Sequence, residues 1–202
     1  MNDIPTSLWH EDARVDRFDG VSMAIHWATL LLIVGIFATA WMRGYASDGD
    51  AAATLLNIHR SLGGALWLLT LIRLVWKVGM AHMPKLPITV GPRQHLIARA
   101  NEAALYALLL LQPLTGFLQS IARGKAFTLL GADVPILMAK DKAFAHAAHD
   151  IHERGAWALL ILIGLHASAA LAHHFLMRDN VLRAMLPDLR RPLAKNISPV
   201  RE

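Results

Sequence analysis

Three stretches of this 202-residue chain, 20–42, 103–122 and 155–177, each run for about 20 residues without an Asp, Glu, Lys or Arg. About 20 consecutive apolar residues suffice to cross the hydrocarbon of a bilayer as a helix. A soluble bundle would instead carry a polar stripe on each helix, and Ala156 to Ala172 is apolar nearly all round. A fourth block, Ser61 to Ile72, is uncharged and is followed by Arg73 and then Leu74, Val75 and Trp76. Read as one span, it completes an all-α, integral-membrane four-helix bundle with spans at about 20–42, 58–78, 102–122 and 155–177. Connectors are expected at 43–57, 79–101 and 123–147, with Pro84, Pro87, Pro92 and Pro135 marking the second and third as irregular. Pro113 falls inside the third span, where a kink rather than a break is expected.

The chain reads as a single domain at 20–178, flanked by segments 1–19 and 179–202. The first 20 residues hold no apolar run, so no cleavable signal is expected. Lys and Arg set the orientation: twelve fall on the side of the termini and seven on the other, with Arg73 inside a span. Both termini are therefore expected in the cytoplasm, with the tail after 178 a cytoplasmic basic segment. The formal charge of +5 is assigned to this topology and not to nucleic acid. Cys is absent, which removes disulfides, thiolate-held clusters and thiol nucleophiles.

Histidine is the remaining chemistry, with 11 in the chain, and an imidazole inside a span is a functional residue by default. His152 and His166 stand 14 residues apart on the fourth span, about 21 Å along the axis and on nearly the same face. Each needs a partner at its own depth. His59 matches His152 on the outer side, and His26 lies on the inner side with His166, although depth alone also admits His173. Two imidazoles per level suit a metal held in a planar macrocycle, since a structural zinc site requires four ligands in one cluster. Gly63, Gly64, Gly164 and Ala167 are small residues expected to leave room for it. With both axial positions filled, the expected task is electron transfer. Arg73 follows His59 by 14 residues, at the inner level, where it either pairs with a haem propionate or extends to the interface. His146 and His149 read as interfacial residues.

The chain resembles the prokaryotic cytochrome b561 family. The resemblance is carried by Ile25-His26-Trp27, by Asn57 to His59, by His152-Glu153, and above all by the run from Gly164 to Phe175 followed by Asp179-Asn180. It covers roughly residues 17 to 187. It implies axial ligands at His26, His59, His152 and His166, choosing His166 over His173. It also implies two haem b groups and electron transfer linked to a quinone, ubiquinone being the expected one, with superoxide as donor in some members. No ligand is transferred to the third helix, which lacks histidine. Glu153 and Glu102 are the acidic candidates for quinone protons. The alternative is a haem-bearing membrane anchor that passes electrons between a dehydrogenase subunit and quinone. A homodimer stands open as the assembly, and the bacterial inner membrane is the expected location.

Overall fold

In the computed structural model, which describes residues 15–84 and 91–187, four long helices follow one another. They are α1 (Gly20–Gly44), α2 (Gly49–Gly79), α3 (Pro92–Ala122) and α4 (Lys142–Ala172). All four are long and apolar enough to cross a membrane. The parts of the terminal segments and of the second connector at 1–14, 85–90 and 188–202 lie outside the described residues.

Each helix starts where a residue can satisfy its first N–H groups. Asp19 accepts from Ser22 N at 2.9 Å, Asp48 from Ala51 N at 2.6 Å, and Asp141 from Phe144 N at 3.0 Å. α3 opens on Gly91-Pro92, where a proline costs no hydrogen bond. These starts, set by caps rather than by hydropathy, precede the apolar windows of the last three helices. Consequently 49–57, 92–101 and 142–147, expected in connectors, are helical. Pro113 is accommodated inside α3 without ending it.

α1 packs along α2 and α3 along α4, with α2 against α3 joining the two pairs. At mid-height one residue from each helix meets in a buried layer: Ile33, Leu66, Leu109 and Leu159. Leu31, Val34, Leu68, Ile72, Leu111, Trp157 and Ile161 point outward, the surface a helix bundle presents to acyl chains. Buried Thr29 and Thr70 return their hydroxyls to the carbonyls of Ile25 and Leu66, each at 2.7 Å, so neither leaves an unpaired polar group in the apolar interior.

Between α3 and α4 a short antiparallel hairpin, β1 (Phe127–Leu129) and β2 (Ala132–Val134), folds onto α2. Its two turn residues, Leu130 and Gly131, have φ of 51° and 81°, as a two-residue turn with both central residues left-handed requires. Leu130 N donates to Ser61 Oγ at 3.0 Å. At the opposite end, Phe18 N donates to Ala184 O at 3.1 Å and Trp27 Nε1 to Met185 O at 3.0 Å. The bundle therefore has a hairpin end and a termini end.

Candidate functional site

Four registers of seven residues organise the interior: His26–Ile33 on α1, His59–Leu66–Arg73 on α2, Glu102–Leu109–Gly116 on α3 and His152–Leu159–His166 on α4. A step of seven keeps a residue on one helix face to within about 20° and moves it about 10.5 Å along the axis. The buried layer is the middle rung. The histidines are the rungs above and below it.

At the hairpin end the rings of His59 and His152 stand 6.2 Å apart, centre to centre, with 78° between their planes. At the termini end His26 and His166 are also 6.2 Å apart, at 53°. Metal–imidazole bonds of about 2.0 Å, with about 1.1 Å from each nitrogen to its ring centre, put axial imidazoles about 6.2 Å apart. The donor pairs therefore fit a metal held between two opposed imidazoles, and rotation about that axis leaves the angle between rings free. No group of three or more His, Cys, Asp or Glu is suited to a metal ion among the described residues, so a cluster of zinc type is not on offer.

The hairpin-end pair is also oriented. His59 Nδ1 donates to Ile36 O at 3.0 Å, and His152 Nδ1 donates to Gln112 O at 3.0 Å, with Thr115 Oγ1 3.1 Å away. A proton used on Nδ1 leaves Nε2 with its lone pair free, which is the tautomer a metal needs. Gln112 Nε2 donates in turn to His152 O. A Cβ at Gly116 would lie 3.0 Å from His152 Cε1, so α3 approaches this imidazole as closely as a helix can. The sequence pointed to Glu102 alone on α3 and to no ligand there, so Gln112, Thr115 and Gly116 were not anticipated. The register from Leu109 to Gly116 is the signal that points to them.

Of the glycines expected to make room, Gly64 is taken up by the hairpin, while the space beside Gly63 and Gly164 is open. A Cβ at Gly64 would meet Leu129 Cδ1 of the hairpin at 3.3 Å, and nothing lies within 4 Å of one at Gly63 or Gly164. Gly64 thus admits the hairpin, because the hairpin closes on α2.

Arg73 is at the termini-end level, as the spacing predicted. Its Nη2 lies 3.1 Å from His26 Nδ1, and its guanidinium lies 5.5 Å from the centre of the Tyr106 ring. Glu102 ion-pairs with Lys77. His173 Nδ1 pairs with Asp179 Oδ2 at 2.6 Å, in the single wide π turn His173–Met177 that follows α4, whereas the ring that stands 6.2 Å from His26 is that of His166. His146 and His149 are exposed and face Asp150 at 3.3 Å and Glu153 at 3.8 Å. Those pairs behave as surface pairs, worth little.

Charge is distributed unequally. The hairpin end carries a cavity of about 500 Å³ whose wall includes Arg60, Arg123, Lys125, Lys140 and Lys142. Burial, then the neighbouring Arg43, push the Arg123 guanidinium below its ordinary pKa. At the termini end burial raises the Asp19 pKa, but hydrogen bonds from Ser22, Trp76 and His82 outweigh it and hold the carboxyl down at about 2.

A profile of the prokaryotic cytochrome b561 family matches residues 17–188. Cytochrome b561 homolog 2 of Escherichia coli K12 is 34% identical over 173 residues, covering 85% of this chain and 92% of that one. Cytochrome b561 homolog 1 of the same organism is 30% identical over 177 residues, 86% and 98% of the two chains. A Yersinia pestis protein named probable superoxide oxidase CybB is 27% identical over 176 residues, again 86% and 98%.

Proposed function

The chain belongs to the prokaryotic cytochrome b561 family, multi-pass bacterial membrane proteins that bind haem b and carry electrons, and on that premise we propose that it moves electrons between two haems stacked across the bilayer. His59 and His152 would hold the hairpin-end haem, and His26 and His166 the other. One observation carries the reading: both imidazole pairs have the same 6.2 Å separation, one seven-residue step either side of the layer formed by Ile33, Leu66, Leu109 and Leu159.

Bound haem supplies the one-electron ferric/ferrous couple. The residues do the rest. Ile36 and Gln112 carbonyls fix the two hairpin-end imidazoles in the metal-binding tautomer. With an imidazole offered from either side at each level, the chain would leave a bound haem no position for oxygen, so the chemistry it would supply is electron transfer. The aliphatic middle rung excludes water between the two levels, and so confines protons to the ends. At the termini end Arg73, 3.1 Å from His26 Nδ1, would pair with a carboxylate of bound haem, which would offset its charge inside the bundle.

By the count of Lys and Arg the termini face the cytoplasm, and the hairpin end faces outward. The cations of the hairpin end favour an anionic one-electron donor, and the relative named as a probable superoxide oxidase suggests superoxide. Superoxide gives up one electron and leaves as dioxygen, with no proton to move. Ubiquinone is the acceptor, taking two electrons and two protons. Glu102 and Glu153 remain the candidate acids, now paired with Lys77 and His149.

The test is a redox titration with haem quantification on the purified protein. Two b haems per chain are expected. H59A and H152A should each remove one haem, and H26A and H166A the other. A single haem, or two retained in both H152A and H166A, would refute the proposal. Co-purification of a stoichiometric dehydrogenase subunit, with no quinone reduction by the isolated chain, would favour the membrane-anchor alternative.

A further inference from the structure

Arg60 follows His59 on α2, and among the described residues its charge meets no carboxylate in an ion pair. Its Nε donates to Ser120 Oγ at 3.1 Å and its Nη1 to Asn57 Oδ1 at 3.2 Å. Its guanidinium stands 4.7 Å from the centre of the Phe127 ring. Every one of these partners is neutral. Among the described residues no ion pair with a carboxylate engages Arg43, Arg60 or Arg123. Asp141, the acid in the cavity wall, accepts from Phe144 N at the start of α4.

Three arginines gathered at one bundle end repel one another, which is costly while no carboxylate among the described residues pairs with them. The cost disappears when an anion is present, so the arrangement is built to receive one. Its position says which. Arg60 is one residue beyond His59, and Ser120, which holds it, is one turn beyond Gly116, the close neighbour of His152. Both arms of the hairpin-end imidazole pair thus lead to the same guanidinium. Arg43 lies in the last turn of α1, one seven-residue step past Ile36, whose carbonyl orients His59.

We infer that Arg60, together with Arg43 and Arg123, receives the two porphyrin carboxylates of the hairpin-end haem and makes that haem the easier of the two to reduce. This rests on the two-haem reading above. A planar guanidinium presents paired N–H donors that match a carboxylate. Ser120, Asn57 and Phe127 hold Arg60 before any anion arrives, so little rotamer freedom remains to be lost on pairing. Cations beside iron favour the ferrous form, which carries one positive charge fewer.

The experiment titrates the purified two-haem protein and reads the midpoint of each haem, with resonance Raman of the carboxylate bending band as a second readout. R60Q should lower one midpoint and leave the other in place. The ferrous-to-ferric ratio at fixed potential should fall about tenfold, about 59 mV for a one-electron couple. R43Q should act in the same direction on the same haem. R60K should restore most of the potential. R154Q removes an exposed charge two residues from His152 and should move neither midpoint. Unmoved midpoints and an unmoved band in both R60Q and R43Q overturn the pairing. So does an R154Q shift as large as that of R60Q, which would indicate a diffuse field. A preparation that never holds a second haem overturns the two-haem reading instead.

Discussion

Arg73 Nη2 stands 3.1 Å from Nδ1 of His26, and because a guanidinium only donates, Nδ1 must be the acceptor. The His26 proton is then on Nε2, the opposite tautomer to the one fixed in His59 and His152 by backbone carbonyls. Coordination through Nε2 requires that proton to move to Nδ1, where it would oppose the arginine. The two sites therefore differ in readiness: one is set for metal, while the other must first release a cation.

Loading should be sequential as a result. Haem added to the apo-protein should enter the hairpin-end site first, which stopped-flow spectra of H59A and H26A would resolve as the fast and slow phases missing from each. R73L should speed the slow phase, because His26 no longer has to be released. The same substitution should weaken final retention of that haem, roughly tenfold for a lost charge-assisted contact, by depriving its carboxylate of a partner. Slow-phase rate and haem retention both unchanged in R73L would show that the contact has no part in loading.

Gly116 gives a sharper steric test. An added methyl would sit 3.0 Å from His152 Cε1 and 3.3 Å from Nδ1. The imidazole cannot yield cheaply, being tied to Gln112 and flanked by Thr115. G116A should therefore cost about 1–3 kcal/mol as an overpacked site and deplete the hairpin-end haem selectively. G49A, at the start of α2, where a Cβ meets nothing within 4 Å, should leave haem content unchanged. Pyridine haemochrome assays of the two variants decide it.

Much of this was legible in the sequence, for identifiable reasons. Charge-free runs locate three of the four membrane helices, and the apolar block before Arg73 the fourth, because hydrocarbon tolerates little else, and a 14-residue repeat of histidine survives on the sequence line because it is periodic on a helix. What escaped depends on pairs of helices. Hydropathy stops where side chains become polar, but Asp48 and Asp141 start their helices earlier because capping is local chemistry. Gln112, Thr115 and Gly116 carry no ligand of their own and matter only through the ring of His152 across the interface. Arg73 had the right depth, yet no spacing rule reveals that its nearest partner is His26.

The termini end should show a distinct acid sensitivity. Asp19 caps α1 through Ser22 and also accepts from Trp76 Nε1 at 3.1 Å and His82 N at 3.2 Å. Its carboxyl is held at about 2, below the ordinary 3.8. A depressed carboxylate contributes stability above its unfolded pKa and loses that contribution as pH falls through the folded value. D19A should lower stability by about 1 kcal/mol near neutrality, the usual scale of a lost N-cap. The gap between parent and D19A should narrow between pH 4 and pH 2, read as Tm in detergent. A gap that stays constant across that window would show that the charge of Asp19 contributes nothing.

Steering of an anionic donor makes the last prediction. Lys125, Lys140 and Lys142 line the hairpin-end cavity beside Arg123. Fields from exposed charges reach about 30 Å at 0.01 M salt and about 8 Å at 0.15 M. If superoxide is gathered by this field, its bimolecular oxidation rate should fall on the order of tenfold across that salt range. The triple variant K125Q/K140Q/K142Q should begin lower and respond less to salt, while both haem midpoints remain close to those of the parent. Pulse radiolysis measures the rate directly, without relying on a quinone assay downstream. A flat salt profile in the parent would assign these lysines to ordinary solvated loop charge and return the donor question to an uncharged or protein partner.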